Sequence, residues 1–334
     1  MTTPILEARD LGKTFTTQGG LLSGRTAAVR AVDGVDLDIA RGETLAVVGE
    51  SGCGKSTLGR LLLRLIEPTT GSVQIDGQDI TTLSSGAMRK ARRNAQMVFQ
   101  DPYGSLSPRR TIEQIIAEPM QVFGIGGNRR ERREAIAALL EQVGLPASAM
   151  DRLPRQFSGG QRQRICIARA ISVDPSFIVA DEPVSALDVS IQAQIINLMQ
   201  DLQASKGFSC LFIAHDLAVV RHIADRVAVM YLGRIVEIGP KDRIYSAPMH
   251  PYTQALLSAA PEPGLKKSRR RIVLEGDVPS PTKVPSGCSF HTRCPLAQDI
   301  CRRERPPLET KADGQSAACH FAEPNPIKVT DRAA

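Results

Sequence analysis

The 334-residue chain contains no tryptophan, and only 4% of it is aromatic. Proteins that bind single-stranded nucleic acid use aromatic rings as stacking platforms. The scarcity argues against that class despite a net charge of +7. No window approaches the roughly 20 apolar residues that a membrane-spanning helix needs. The start, Met1-Thr2-Thr3-Pro4, lacks the charged stretch and apolar core of a signal peptide. These absences predict a soluble, cytosolic protein. Seven cysteines fit a disulfide framework poorly, and Cys288, Cys294, Cys301 and Cys319 crowd toward the C-terminus. In a reducing compartment such crowding suggests metal. Apolar content of 42% with 23% charged residues is that of a globular protein. The length exceeds one ordinary core, which predicts a main domain plus an addition.

The positive charge gathers in short runs, Arg89–Arg93, Arg129–Arg133 and Lys266–Arg271. Each reads as a solvated face. The most informative stretch is Gly49-Glu50-Ser51-Gly52-Cys53-Gly54-Lys55-Ser56-Thr57. It follows the apolar run 44–48 and precedes an amphipathic segment, 58–66, so strand, glycine loop and helix stand in the order a phosphate cradle requires. Glycines let successive N–H groups turn inward, and the helix start adds partial positive charge. Lys55 is placed to reach the β- and γ-phosphates, and Ser56 to set its hydroxyl on Mg²⁺.

Segments 5–10 and 35–39 alternate as half-buried strands, with a Gly-rich loop near Gln18-Gly19-Gly20 between them. Phe15, just before that loop, reads as a core plug or as a ring that stacks on a purine. The strand 95–100 delivers Gln100 to its carboxyl end, where open α/β sheets place ligand-contacting groups. Helices are expected over 111–123, 129–143 and 159–172, as a helical region spanning about 101–172. Ser158-Gly159-Gly160-Gln161 opens the last of them as a second, weaker anion site. The run 177–182 is a buried strand that ends in Asp181, able to hold Mg²⁺ through water, and Glu182, able to orient or deprotonate an attacking water. Asp188 is expected to cap a helix over 189–203. The strand 209–214 brings His215 to the same edge as a candidate for polarising the γ-phosphate. A hairpin over 227–238 closes the main domain, with a boundary near residue 240. Cys53, Cys166 and Cys210 read as small buried apolar residues.

With these pieces in this order, the chain resembles the ATP-binding subunits of ABC transporters. Gly49 to Ser56 is similar to the Walker A loop, Gln100 to the Q-loop and Phe157 to Gln161 to the signature motif. Phe177 to Asp181 is similar to the Walker B strand, Glu182 to the catalytic glutamate, Ser185 to Asp188 to the D-loop and His215 to the switch histidine. Phe15 matches the aromatic that stacks on adenine, which favours the stacking role. Phe157 in place of leucine is the one departure in the signature. The resemblance implies an α/β fold: a RecA-like parallel sheet, N-terminal antiparallel strands, a helical subdomain and a small Cys-rich extension from 241 to 334. It also implies MgATP hydrolysis, with Gln100 near the metal. In the family the signature motif binds the γ-phosphate of ATP held by a partner subunit, so ATP joins two ATPases head to tail.

His250-Pro251-Tyr252-Thr253-Gln254, Pro279-Ser280-Pro281 and Gly287-Cys288 resemble the extension of oligopeptide and dipeptide import ATPases, the dipeptide F-type subunit above all. The resemblance implies a paralogous second ATPase, two membrane permease subunits and an extracytoplasmic peptide-binding protein, with no nucleic acid. It implies a peripheral place on the cytoplasmic face of the inner membrane. Nickel and glutathione importers share this subgroup, and a soluble ABC ATPase acting on nucleic acid or ribosomes is the reading from another class. The spacing C-x5-C-x6-C-x17-C lacks the close pairs of common zinc sites. With His291 and His320 adjacent, zinc and free thiols both remain open, as does a sensing role for the tail. The resemblance implies a [4Fe–4S] cluster on the four cysteines.

Overall fold

The computed structural model describes residues 3–17, 27–259, 272–312 and 314–324. The Gly-rich loop near residue 18 and the basic run 266–271 lie outside them. The strands are β1 (Leu6–Thr17), β2 (Ala27–Ile39), β3 (Thr44–Val48), β4 (Thr70–Ile75), β5 (Gln78–Asp79), β6 (Ala95–Val98), β7 (Phe177–Asp181), β8 (Ser209–Ile213), β9 (Arg226–Tyr231), β10 (Arg234–Pro240), β11 (Glu309–Ala312) and β12 (Gln315–Ala317). They form a four-stranded antiparallel sheet, β2-β1-β4-β5, and an eight-stranded sheet, β11-β12-β10-β9-β3-β8-β7-β6. In the larger sheet β9, β3, β8, β7 and β6 run parallel, and β10, β12 and β11 continue it antiparallel.

The central strands are continuous apolar runs because both of their faces are covered. Ala46, Val48, Ile178, Ala180, Cys210 and Phe212 face one core, shared with the helices that follow β6. Leu45, Val47, Phe177, Val179, Leu211 and Ile213 face the other, shared with the helix Lys55–Leu62 and the antiparallel sheet. Cys53, Cys166 and Cys210 are buried as expected, and burial pushes the Cys210 thiol up to about 12. Gly59 lies where that helix meets the sheet, and an added Cβ would come within 2.9 Å of both Ile213 and Val179. Gly59→Val should therefore cost about 1–3 kcal/mol by overpacking, read as a lower urea midpoint.

β1 and β2 run well beyond the alternating segments the sequence offers. Register shifts occur between Ala8 and Leu11 and again at Lys13, and Asp10 takes a positive φ of 45°. Each bulge moves side chains to the opposite face, so the period-2 pattern stops while the strand goes on. The helices Ile112–Val122, Arg129–Gln142 and Gly159–Ile171 fill the stretch between β6 and β7. Thr111 and Asn128 close capping boxes on the first two. Asp188 stands at the start of the helix Val189–Lys206, but its side chain makes no capping hydrogen bond. The chain after residue 240 returns to the main sheet through β12. Buried Glu237 on β10 fastens it, accepting from the N–H groups of Met249 and His250 and from Gln315 Nε2. Among the described residues no helix is long and apolar enough to cross a membrane.

Candidate functional site

The phosphate-type loop leaves β3 at Val48 and enters the helix Lys55–Leu62. Its glycines are dictated by crowding as well as by backbone angle. Gly49 has φ +154° and Gly54 +109°, and a Cβ on them would collide with the carbonyl oxygens of Met230 and Ala31. Gly54 occupies the N-cap without a side-chain acceptor, so the first-turn N–H groups stay available to an anion. Lys55 is 4% exposed. Its Nζ donates to the carbonyl oxygens of Gly49 (2.8 Å) and Glu50 (3.1 Å), and it stands 4.0 Å from Glu182 Oε1.

The strand order brings the remaining candidates here. β6, β7 and β8 are parallel neighbours, so Gln100, Asp181, Glu182 and His215 all emerge from one edge of the sheet. Ser56 Oγ donates to Asp181 Oδ1 at 2.8 Å. Burial raises the pKa of Asp181, while the Ser56 hydrogen bond opposes that shift. Two hard oxygen donors so close suit Mg²⁺. Glu182 has a positive φ of 45°, a strained value of the kind that gathers at working sites. Its Oε2 accepts from Gln100 Nε2 at 2.9 Å and lies 3.6 Å from His215 Nδ1.

A cavity of about 240 Å³ is lined by Ser51, Gly52, Cys53, Gly54, Lys55, Ser56, Thr57, Gln100 and Glu182. Val29, Arg30, Ala31, Leu232, Gly233 and Pro281 also line it, six residues that motif reading missed. Phe15 is 41% exposed and pairs across the sheet with Val29, next to this cavity. Lys13 Nζ lies over its ring at 5.3 Å from the centroid. Ser158, Gly159, Gly160 and Gln161 do not line the cavity. Ser158 caps the helix Gly159–Ile171, accepting from Gln161 N, and Gln161 Oε1 accepts in return from Ser158 N. An added Cβ on Gly160 would meet Ile191 at 2.5 Å, so the residue must stay small.

Cys288, Cys294, Cys301 and Cys319 line one small cavity with His250, His291 and His320. Burial pushes up the Cys288 and Cys319 thiols and takes Cys294 to about 11, and neighbouring thiols add to each shift. Burial and this repulsion keep Cys288, Cys294 and Cys319 protonated until a cation compensates them. As placed, however, no group of three or more His, Cys, Asp or Glu among the described residues is arranged to hold a metal ion.

A glycine loop between a buried parallel strand and a helix, with an acidic pair at the end of the next strand but one, defines a P-loop nucleotide hydrolase. Residues 32–185 match the ABC transporter family, and residues 236–301 match the oligopeptide/dipeptide transporter C-terminal region. The chain is 53% identical over 324 residues to the "Probable peptide ABC transporter ATP-binding protein y4tS" of Sinorhizobium fredii, covering 97% of this chain and 92% of that one. It is 53% identical over 320 residues to the "Oligopeptide transport ATP-binding protein AppF" of Bacillus subtilis, with 95% and 97% covered. A dimeric structure of the ATP-binding cassette MJ0796 bound to ADP and Pi superposes with a TM-score of 0.63 at 29% identity, over 71% of this chain and 98% of that one. The chain belongs to the ATP-binding subunits of ABC transporters, enzymes that couple ATP hydrolysis to transport.

Proposed function

We propose that this chain is the ATP-hydrolysing subunit of an importer of short peptides, working at the cytoplasmic face of the membrane. The observation that carries it is the convergence on Glu182 of Gln100, His215 and Lys55, beside the Ser56–Asp181 pair. The names of the peptide-transport relatives support the substrate class. Ser56, Asp181 and Gln100 would hold Mg²⁺, which neutralises charge on the phosphates. Lys55 steadies the β- and γ-phosphates, Glu182 orients the attacking water and takes its proton, and His215 bonds the γ-phosphate. Phe15 stacks on the adenine.

Ser158 to Gln161, which do not line the chain's own cavity, cap ATP in a second ATPase subunit, a paralogue of this chain. A groove of about 700 Å³, lined by Gln100, Asp101, Glu118, Val122 and Phe123, suits docking by one of the two permease subunits. A binding protein on the far side delivers the peptide.

The four cysteines would hold a [4Fe–4S] cluster if their sulfurs drew together, and four thiols lining one cavity are a donor set of the right kind. Anaerobically purified protein should then show broad visible absorbance that Cys288→Ser removes. Colourless wild-type protein with four alkylatable tail thiols would discard the cluster.

Transport is tested by reconstituting the chain with its permeases and partner ATPase in proteoliposomes. ATP-dependent uptake of labelled peptide should appear when the binding protein is added. Uptake of nickel or glutathione instead of peptide would overturn the substrate assignment.

A further inference from the structure

Glu50, second residue of the phosphate loop, is held at three points. Its N–H donates to Tyr252 Oη at 2.9 Å. Its carboxylate accepts from both terminal nitrogens of Arg293, at 2.8 and 3.1 Å. Its carbonyl accepts from Lys55 Nζ at 3.1 Å. The first two partners come from the C-terminal segment, 202 and 243 residues further along the chain.

The Arg293 side chain is only 8% exposed. Hydrogen bonding to Glu50 raises its pKa, and the nearby Tyr231 hydroxyl adds to the shift, so it stays charged. Tyr231 in turn packs on Tyr252, with centroids 4.7 Å apart, and on Phe290 at 5.3 Å. A two-pronged guanidinium–carboxylate contact fixes orientation as well as distance. Here it holds the side chain of the residue whose carbonyl Lys55 grips. No motif for nucleotide chemistry includes Arg293 or Tyr252, and neither lines the phosphate cavity.

We propose that Arg293 and Tyr252 are positioning residues of the ATP site: through Glu50 the C-terminal segment sets the curve of the phosphate loop and the aim of Lys55, and so sets the affinity for MgATP. The inference rests on the ATPase reading above. Loss of the clamp lets the loop sample shapes that cannot cradle phosphate, and apparent affinity falls by the fraction still competent. The chemical step, which depends on Glu182, is spared.

The test is steady-state ATPase activity of the assembled transporter against MgATP concentration, with melting temperature read on the same samples. Tyr252→Phe keeps the ring and its packing and removes only the acceptor. It should raise KM about 3–10-fold, change kcat less than about twofold and leave Tm within about 2 °C. Arg293→Gln and Glu50→Gln should each raise KM about tenfold, Arg293→Lys less, and the double variant no more than the worse single one. Unchanged KM in Tyr252→Phe and Arg293→Gln, with or without a fall in Tm, would make these contacts purely structural and overturn the proposal. Strictly additive losses in the double variant would overturn it too. A wild-type transporter without MgATP turnover would count against the ATPase reading itself, not against the clamp.

Discussion

Glu182→Gln is expected to slow ATP hydrolysis about 10²–10⁴-fold, the range removed with a general base, while MgATP stays bound. Glutamine preserves the shape of the residue and still offers an oxygen to Gln100 Nε2, which now donates to Glu182 Oε2 at 2.9 Å. The backbone, already held at a φ of 45°, has no reason to relax. What disappears is the carboxylate that can accept a proton from water between Lys55 and His215. Binding contacts from the loop persist, and in the head-to-tail pairing proposed above so do those from the partner ATPase's signature motif, so the ATP-closed dimer should accumulate. Size-exclusion chromatography with MgATP and the partner ATPase should show a stable complex with the variant that the wild type forms only transiently. Phosphate release at the wild-type rate would remove Glu182 from the chemistry and return the role to another group on this edge.

Much of this edge is legible in the chain because its determinants are local. The loop 49–57 needs glycines at fixed steps, and its strand and helix flank it directly. Gln100, Asp181 and His215 each end an apolar run, and parallel strands must then deliver them to one edge. Other features carry no local signal. The Arg293–Glu50 pair joins residues 243 apart, and one arginine in a polar tail looks like any other. β12 spans only Gln315–Ala317, too short for a period to register, and exists because β10 offers it an edge. The length of β1 is hidden by its bulges, which break alternation where pairing continues. The four cysteines were countable, yet spacing alone does not say how closely their sulfurs approach, and that depends on turns set by residues such as Gly287 at φ +65°.

Phe290→Ala is expected to destabilise the protein by about 3–5 kcal/mol, the usual cost of emptying a buried phenyl site. Phe290 is 1% exposed and touches three rings: Tyr231 at 5.3 Å, Tyr252 at 5.4 Å and His250 at 5.6 Å between centroids. Tyr231 ends β9 in the central sheet and Tyr252 lies in the helix Pro251–Ala259, so the phenyl ring is the wedge between sheet and tail. The deficit should depend on pH. His250 is held neutral, with burial lowering its pKa from 6.5 to about 3, and its Nδ1 accepts from Tyr252 N. The unfolded chain therefore binds a proton that the folded one refuses. The stability that neutral His250 contributes is fully present above pH 6.5 and is lost as pH falls from there toward about 3. Removing the ring admits water beside His250 and relieves part of that refusal, so the variant should lose less on acidification. Urea unfolding of both proteins at pH 7.5 and pH 5 should give a larger gap at the higher pH. A gap that widens in acid would mean that His250 is not desolvated by Phe290, and that the ring serves packing alone.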